Sequence, residues 1–458
     1  MKQKLILFFL CAFAGMIAQN ADSLQLRKIY DYYLTQSKAY ENLEYLATKI
    51  GSRLSGSPGA AKAVEWAKKA MYEAGADTVI LQPCMVPHWV RGAKEKCILS
   101  SSKLKLNKNL NCCALGNCVG TGSKGVKAKV IEVKSFDDLE KLGEKEIKGK
   151  IVFYNVFFNQ CHVRTGSAYG ECVKFRGQGA SQAAKYGAVG TIVRSMTSVA
   201  DDEPHTGNMN YDTSVCKTKI VTLAVSYKAA DELVSSLEKD PNLELYLETH
   251  CQTLPDEPSF NVVGQINGSL KNNEYIIAGG HLDAWDNGQG AHDDGAGVVQ
   301  SMEILAMYKK MGLKPKHNIR AVAFMNEENG LRGGEAYAKF AVQNKEEHLA
   351  ALETDAGGFT PRGFGIDTTK GLYNLAIKWK NLFTPYYVDK FSPGGGGADI
   401  SPLDKLGVPC IGFEPDTQRY FDIHHTAADT FDKINKRELN LGAGGIGALI
   451  YLIDKYYP

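Results

Sequence analysis

Charge of either sign is scarce beyond balance: 53 Lys and Arg face 51 Asp and Glu, leaving +2 over 458 residues. With no excess and no block of like charges, nothing electrostatic points to nucleic acid or an anionic membrane as partner. A membrane span is also missing. The N-terminal apolar stretch, Leu5 to Ala18, falls short of the roughly 20 residues a bilayer requires. Neither G-x-S-x-G nor H-E-x-x-H occurs. That removes motif support for a serine hydrolase and for a zinc protease built on one helix. Internal repeats and low-complexity tracts are absent too. Paired C-x2-C spacing is lacking, so Cys112-Cys113-x4-Cys118 reads as disulfides or buried thiols rather than a metal site.

What is there begins with a leader. Met1-Lys2-Gln3-Lys4 is basic, the apolar stretch follows, and Ala18-Gln19-Asn20-Ala21 is small and polar. This is the pattern of a secretory signal peptide over residues 1–21. The chain is therefore expected to be exported, periplasmic or secreted. Of eleven cysteines, Cys11 leaves with the leader, and the ten that remain favour some disulfides in an oxidising compartment.

A mature chain of this length exceeds one compact core. Residues 24–50 read as helix, 51–59 as a turn-rich loop and Ala60–Ala74 as a helix stopped by Gly75. Residues 116–256 differ in texture, with short β-rich runs among Gly, Cys and Asn and one helical stretch, Gly179–Tyr186. They are assigned to an inserted β-rich domain. Residues 22–115 and 257–458 then form the main domain. From Phe260 onward, apolar strands (Phe260–Ile266, Tyr275–Gly279, Ile319–Met325, Leu349–Glu353, Val408–Phe413) alternate with helical stretches. This predicts an α/β fold, a central sheet flanked by helices.

Ligand-type residues sit at the ends of those strands, where open α/β sheets place their sites. His281 and Asp283 follow one strand, Glu327 and Glu328 another, and Asp355 a third. His425 comes after the last, and Asp293-Asp294-Gly295 precedes a helix. Each has a bland reading alone: a structural histidine, a helix cap, a solvated acidic pair. Together they gather carboxylates and imidazoles whose mutual repulsion a divalent cation would relieve. Imidazole with carboxylate and no thiolate suits zinc.

These segments carry a resemblance. Gly279-Gly280-His281-Leu282-Asp283-Ala284-Trp285-Asp286, Asp293-Asp294-Gly295, Gly397-Ala398-Asp399-Ile400-Ser401-Pro402-Leu403 and His424-His425-Thr426 resemble the co-catalytic zinc exopeptidases, which include bacterial aminopeptidases and glutamate carboxypeptidases. The insert's Lys148–Phe153 and Ala183–Gly190 resemble a protease-associated domain.

The resemblance implies two zinc ions per chain. Asp293 would bridge them, His281 and Asp355 would complete one site, and Glu328 and His425 the other. It implies that Glu327 is the general base and that Asp283 orients His281 by accepting its second N–H. A cis peptide after Asp293 and a homodimer are implied as well. His292 and His424 are spare imidazoles beside the expected ligands, and Tyr420 and Asp399 are candidates to stabilise an oxyanion. The expected activity is hydrolysis of dipeptides or short peptides. A broad aminopeptidase with the same metals is the alternative, and an inactive receptor-like relative the alternative of another class.

Overall fold

The computed structural model describes residues 21–457, so the expected leader lies outside the described residues except for its last residue, Ala21. Two eight-stranded sheets organise it. The first has the order Thr78–Val90, Gln252–Ile266, Asn318–Phe324, Glu274–His281, Glu347–Glu353, Cys410–Pro415, Pro361–Ile366, Lys390–Pro393. Its middle four strands are parallel, and antiparallel pairs flank them. The parallel strands are buried on both faces, as their unbroken apolar runs require. Ile276, Ala278, Ala321 and Ala323 face one core, and Ile277, Val322 and Phe324 face another. Period-two alternation thus feeds two helical layers.

Helices cover both faces. Pro58–Glu73 starts where the Ser57 side chain accepts the Ala60 N–H and Pro58 takes the first turn. Ala296–Lys310 is buried almost throughout, which explains its weak amphipathic pattern. It packs against Lys436–Tyr456 on one side of the sheet, while Arg332–Gln343 lies on the other. The stretch read as one helix over 24–50 is interrupted. Residues 21–36 are helical, and Ala39–Tyr45 restarts after a break at 37–38. Leu372–Phe383 is likewise divided into short turns.

The second sheet runs Leu106–Leu110, Lys96–Ser101, Glu244–Glu248, Val126–Val133, Ile151–Tyr154, Gly190–Arg194, Val221–Val225, Cys112–Ala114. Three of its strands precede residue 116, so the inserted sheet begins earlier than the change in texture indicated. Lys96–Ser101 pairs with Glu244–Glu248, and that ladder draws it away from the first sheet. The insert also holds more helix than expected: Phe136–Ile147, Thr165–Gly177 and Tyr227–Lys239 join Gly179–Ala184. Chain enters and leaves it through the long antiparallel pair Thr78–Val90 and Gln252–Ile266. All ten described cysteines carry free thiols, most of them buried. Cys97 and Cys118 are buried thiols in the core around the second sheet, the second of the two alternatives read for the Cys112–Cys118 cluster. Among the described residues no helix is long and apolar enough to cross a membrane.

Candidate metal centre

The site forms at the carboxyl ends of the parallel strands. His281 ends Glu274–His281, and its Nδ1–H is 2.9 Å from the Asp283 backbone carbonyl. This donation leaves Nε2 bare, 3.1 Å from Asp293 Oδ1 and 3.7 Å from Asp355 Oδ1. Asp283 therefore does hold the ring, but through its carbonyl; its carboxylate Oδ1 is 3.9 Å from Nδ1. That oxygen instead accepts the Asn326 and Glu327 N–H groups at 2.7 and 3.1 Å. It fixes the turn carrying the two glutamates, where Asn326 adopts φ 74°.

Asp293 sits on the irregular turn Ala291–Gly295 before a helix, and its bond to Asp294 is cis. The Asp429 carboxylate accepts the N–H groups of His292 and Asp293 at 2.8 and 3.0 Å, pinning the turn. Asp294 points the other way, accepting from the His281 and Gly297 N–H groups. Gly280 is required beside it, because a Cβ there would collide with the Asp294 carboxylate. Buried Arg53 binds the carbonyls of Leu282, Gln289 and Gly290 at 2.6, 2.7 and 2.8 Å. One guanidinium thereby ties together the loops that carry His281 and Asp293.

The two oxygens of Asp293 face different partners. Oδ1 faces His281; Oδ2 lies 3.3 Å from His425 Nε2, which is 3.2 Å from Glu328 Oε2. Glu328 Oε1 accepts the Trp285 N–H at 3.1 Å. Side chains able to hold an ion therefore form two groups sharing Asp293: one with His281 and Asp355, one with His425 and His424. Glu328 joins the second through His425. His424 is 3.7 Å from Asp293 and stacks on His425 at 3.5 Å between ring centres. His425 alone of the two reaches both carboxylates. His292 stacks on Phe359 and accepts the Gly358 N–H, facing away from both groups.

Electrostatics of this cluster call for a cation. Burial and the Asp293 charge push Glu328 up to about 7, against the opposing pull of His425 and His281. Burial and three neighbouring carboxylates push Glu327 well up. Burial alone would raise Asp293, but His281 and His425 outweigh it and hold it well below the usual carboxylate range. Asp293 Oδ2 and Glu328 Oε2 are buried with no hydrogen-bond partner. Buried acceptors left bare beside imidazole nitrogens fit ligands waiting for a divalent ion.

A cavity of about 390 Å³ opens over the cluster. Glu327, Glu328, Asp293, Asp355 and His425 line it from the first-sheet side; Tyr169, Arg176 and Asn208 line it from the insert. Arg176 is buried, donates to Tyr169 Oη at 2.6 Å, and forms no ion pair among the described residues. Tyr420 reaches Asp355 Oδ1 at 3.4 Å, whereas Asp399 lies behind the wall with both oxygens unpartnered. A larger cavity, about 1150 Å³, lies between helices at 39–50 and 58–73 and gathers no metal-ligating group among the described residues. Arg53, Asp429 and Arg176 were given no role from sequence, although Arg53 and Asp429 stand in segments that carry the resemblance. The first two lie beside motif residues, while Arg176 is far from all of them in the chain.

Known proteins resemble this chain over most of its length. The model of peptidase family M28 matches residues 261–446. Carboxypeptidase Q of Mus musculus is 32% identical over 93% of this chain and 87% of its own length. The crystal structure of a peptidase M28 precursor from Shewanella amazonensis is 31% identical, with a TM-score of 0.89 over 95% of this chain and 97% of that chain. A zinc aminopeptidase from Bacillus subtilis shares the fold at 19% identity and a TM-score of 0.67, over 93% of this chain and 97% of its own.

Proposed function

Because this chain belongs to peptidase family M28, we propose that it is an exported di-zinc metallo-exopeptidase that hydrolyses dipeptides or short peptides bearing a free C-terminal carboxylate. The observation that carries the di-metal reading is the division of Asp293, one oxygen towards His281 and the other towards His425 and Glu328. On this reading His281 and Asp355 hold one zinc, Glu328 and His425 the other, and Asp293 both. When bound, the metals supply Lewis acidity towards the scissile carbonyl and lower the pKa of water.

The chain's own residues supply the rest. Glu327 lines the cavity without belonging to either ligand set. It takes a proton from the attacking water and returns it to the leaving amine. Asp283 holds both the His281 ring and the backbone of Glu327, so one residue sets ligand and base together. The insert supplies one wall of the cavity through Tyr169, Arg176 and Asn208. Arg176 supports the choice of substrate end. A buried guanidinium without a carboxylate partner is costly to bury, and a substrate carboxylate would satisfy it bidentately. The leader pattern at residues 1–21 supports export.

The test is cleavage of three substrate sets by the zinc-loaded protein: unblocked dipeptides, their C-terminal amides, and longer peptides. Unblocked dipeptides should lead by about 100-fold in kcat/KM, the value of one charged hydrogen-bonded pair at roughly 3 kcal/mol. In Arg176→Gln the ratio of free acid to amide should fall towards one. Equal rates on all three sets in the wild type would point to a broad aminopeptidase and overturn the carboxylate assignment.

A further inference from the structure

We infer that the insert completes the second metal pocket: its segment 205–207 positions the ligand His425 through backbone contacts, so retention of the second zinc depends on the insert being seated. The inference rests on the di-metal reading above.

His425 is not in relaxed backbone. Its φ is 62°, a left-handed conformation that a histidine adopts only when held. Most of the hold comes from outside its own loop. The Thr206 N–H donates to the His425 carbonyl at 3.0 Å, and Asn287 Nδ2 donates to the same oxygen at 3.2 Å. On the ring, His425 Nδ1 lies 3.2 Å from the Thr206 carbonyl. With Nδ1 directed at that carbonyl, Nε2 is aimed at Asp293 and Glu328, 3.3 and 3.2 Å away, as a metal ligand requires. Thr206 thus grips the residue at both ends, holding its carbonyl through one contact and its ring through the other. His281 receives the equivalent ring contact from Asp283 in its own chain segment. The two metal sites differ in this respect, since only the second borrows its support from the insert.

The strap is itself anchored. Thr206 Oγ1 donates to the Ala114 carbonyl at 2.8 Å, Gly116 N–H to the Gly207 carbonyl at 2.9 Å, and Met209 N–H to the Gly116 carbonyl at 3.2 Å. Arg91 binds the same Ala114 carbonyl at 2.6 Å and grips Asp286 through Nε and Nη2. Asp286 lies on the loop that follows His281, so Arg91 joins the strap to the first sheet's site. Gly207 is the tightest point, with φ 135°, and a Cβ would stand 2.6 Å from His425 Nδ1 and 2.5 Å from Arg176 Cζ.

Gly207→Ala should therefore push the His425 ring off its position and leave the first site alone. The experiment measures zinc per chain by elemental analysis after dialysis against a graded chelator, and the visible spectrum of the cobalt-substituted protein. The wild type should hold two ions. Gly207→Ala should keep one and bind the second at least 100-fold more weakly, with one cobalt band set lost. Thr206→Val, which removes the hydroxyl's contacts with the Ala114 carbonyl and Arg91 Nη2, should weaken the second ion by about 10-fold and covers the case in which Gly207→Ala does not fold. Two ions held with unchanged affinity in both variants, or loss of both ions together, would overturn the inference. A wild type that never binds a second ion would instead overturn the di-metal reading.

Discussion

Replacing Glu327 by Gln is the most informative perturbation of this site. Four carboxylates line the cavity, Asp293, Glu327, Glu328 and Asp355. The two ligand sets take three and leave only Glu327. Its backbone N–H is tied to Asp283, and that tie survives a side-chain amide. The swap keeps shape and volume, so the ligands have no reason to move. What disappears is the ability to accept and return a proton. A positioned general base contributes about 10²–10⁴ in rate, or about 3–5 kcal/mol at 1.36 kcal/mol per decade. The assay pairs kcat/KM on an unblocked dipeptide with zinc content and a thermal melt. We expect a drop of that size in kcat/KM, two zinc ions retained and an unchanged melt. The acid limb of the pH–rate profile should flatten with the loss of the titrating base. Turnover near wild type would refute the reasoning. So would loss of zinc in parallel with activity, since that would make Glu327 a ligand.

Arg53→Met should destabilise the zinc-free protein by about 3–5 kcal/mol, because three buried carbonyls lose a charged donor and stay dry; an unchanged urea midpoint in chelator would contradict the role given to Arg53. Zinc loading should also release protons. Burial lowers the affinity of His425 for a proton, but Glu328 and Asp293 outweigh it and raise the pKa to about 10. In the metal-free fold that raised value contributes stability in full below the ordinary value of about 6.5, lost as pH rises through about 10. Near neutral pH the ring is therefore charged and must shed its proton to bind zinc. Titration in weak buffer should detect about one proton per second ion, and His425→Ala should remove that release; zinc uptake with no proton release would contradict the assignment.

The residues of the candidate cluster were legible because strand ends are where a parallel sheet exposes chain, and His281, Glu328 and Asp355 each stand at or just past the end of an apolar run. Asp283 was legible as a partner of His281, but not in the manner of its contact. A spacing of two suggests a carboxylate, whereas the turn presents its carbonyl to the ring. Arg176 and Thr206 were not legible. They come from a distant segment, and Thr206 acts largely through backbone atoms, which any residue carries. Two missed helices did have signals. Ser135 accepts the Asp138 N–H and Ser226 the Ala229 N–H, ordinary capping patterns that the glycine and lysine around them obscured. The early edge of the insert was hidden because Lys96–Ser101 alternates like any strand; only its pairing with Glu244–Glu248 places it.

The long ladder through which the insert is tethered has an architectural consequence. Val90 and Gln252 are opposite each other at its end, so the intervening chain begins and finishes at neighbouring points. Whatever hangs from that stem closes one loop, and lengthening it twofold costs only about 0.6 kcal/mol in chain entropy. The core is therefore nearly indifferent to the size of its appendage. Such a stem lets substrate preference be re-tailored by exchanging a whole module at two adjacent joints, subject to one condition: the newcomer must present a carbonyl where Thr206 now stands.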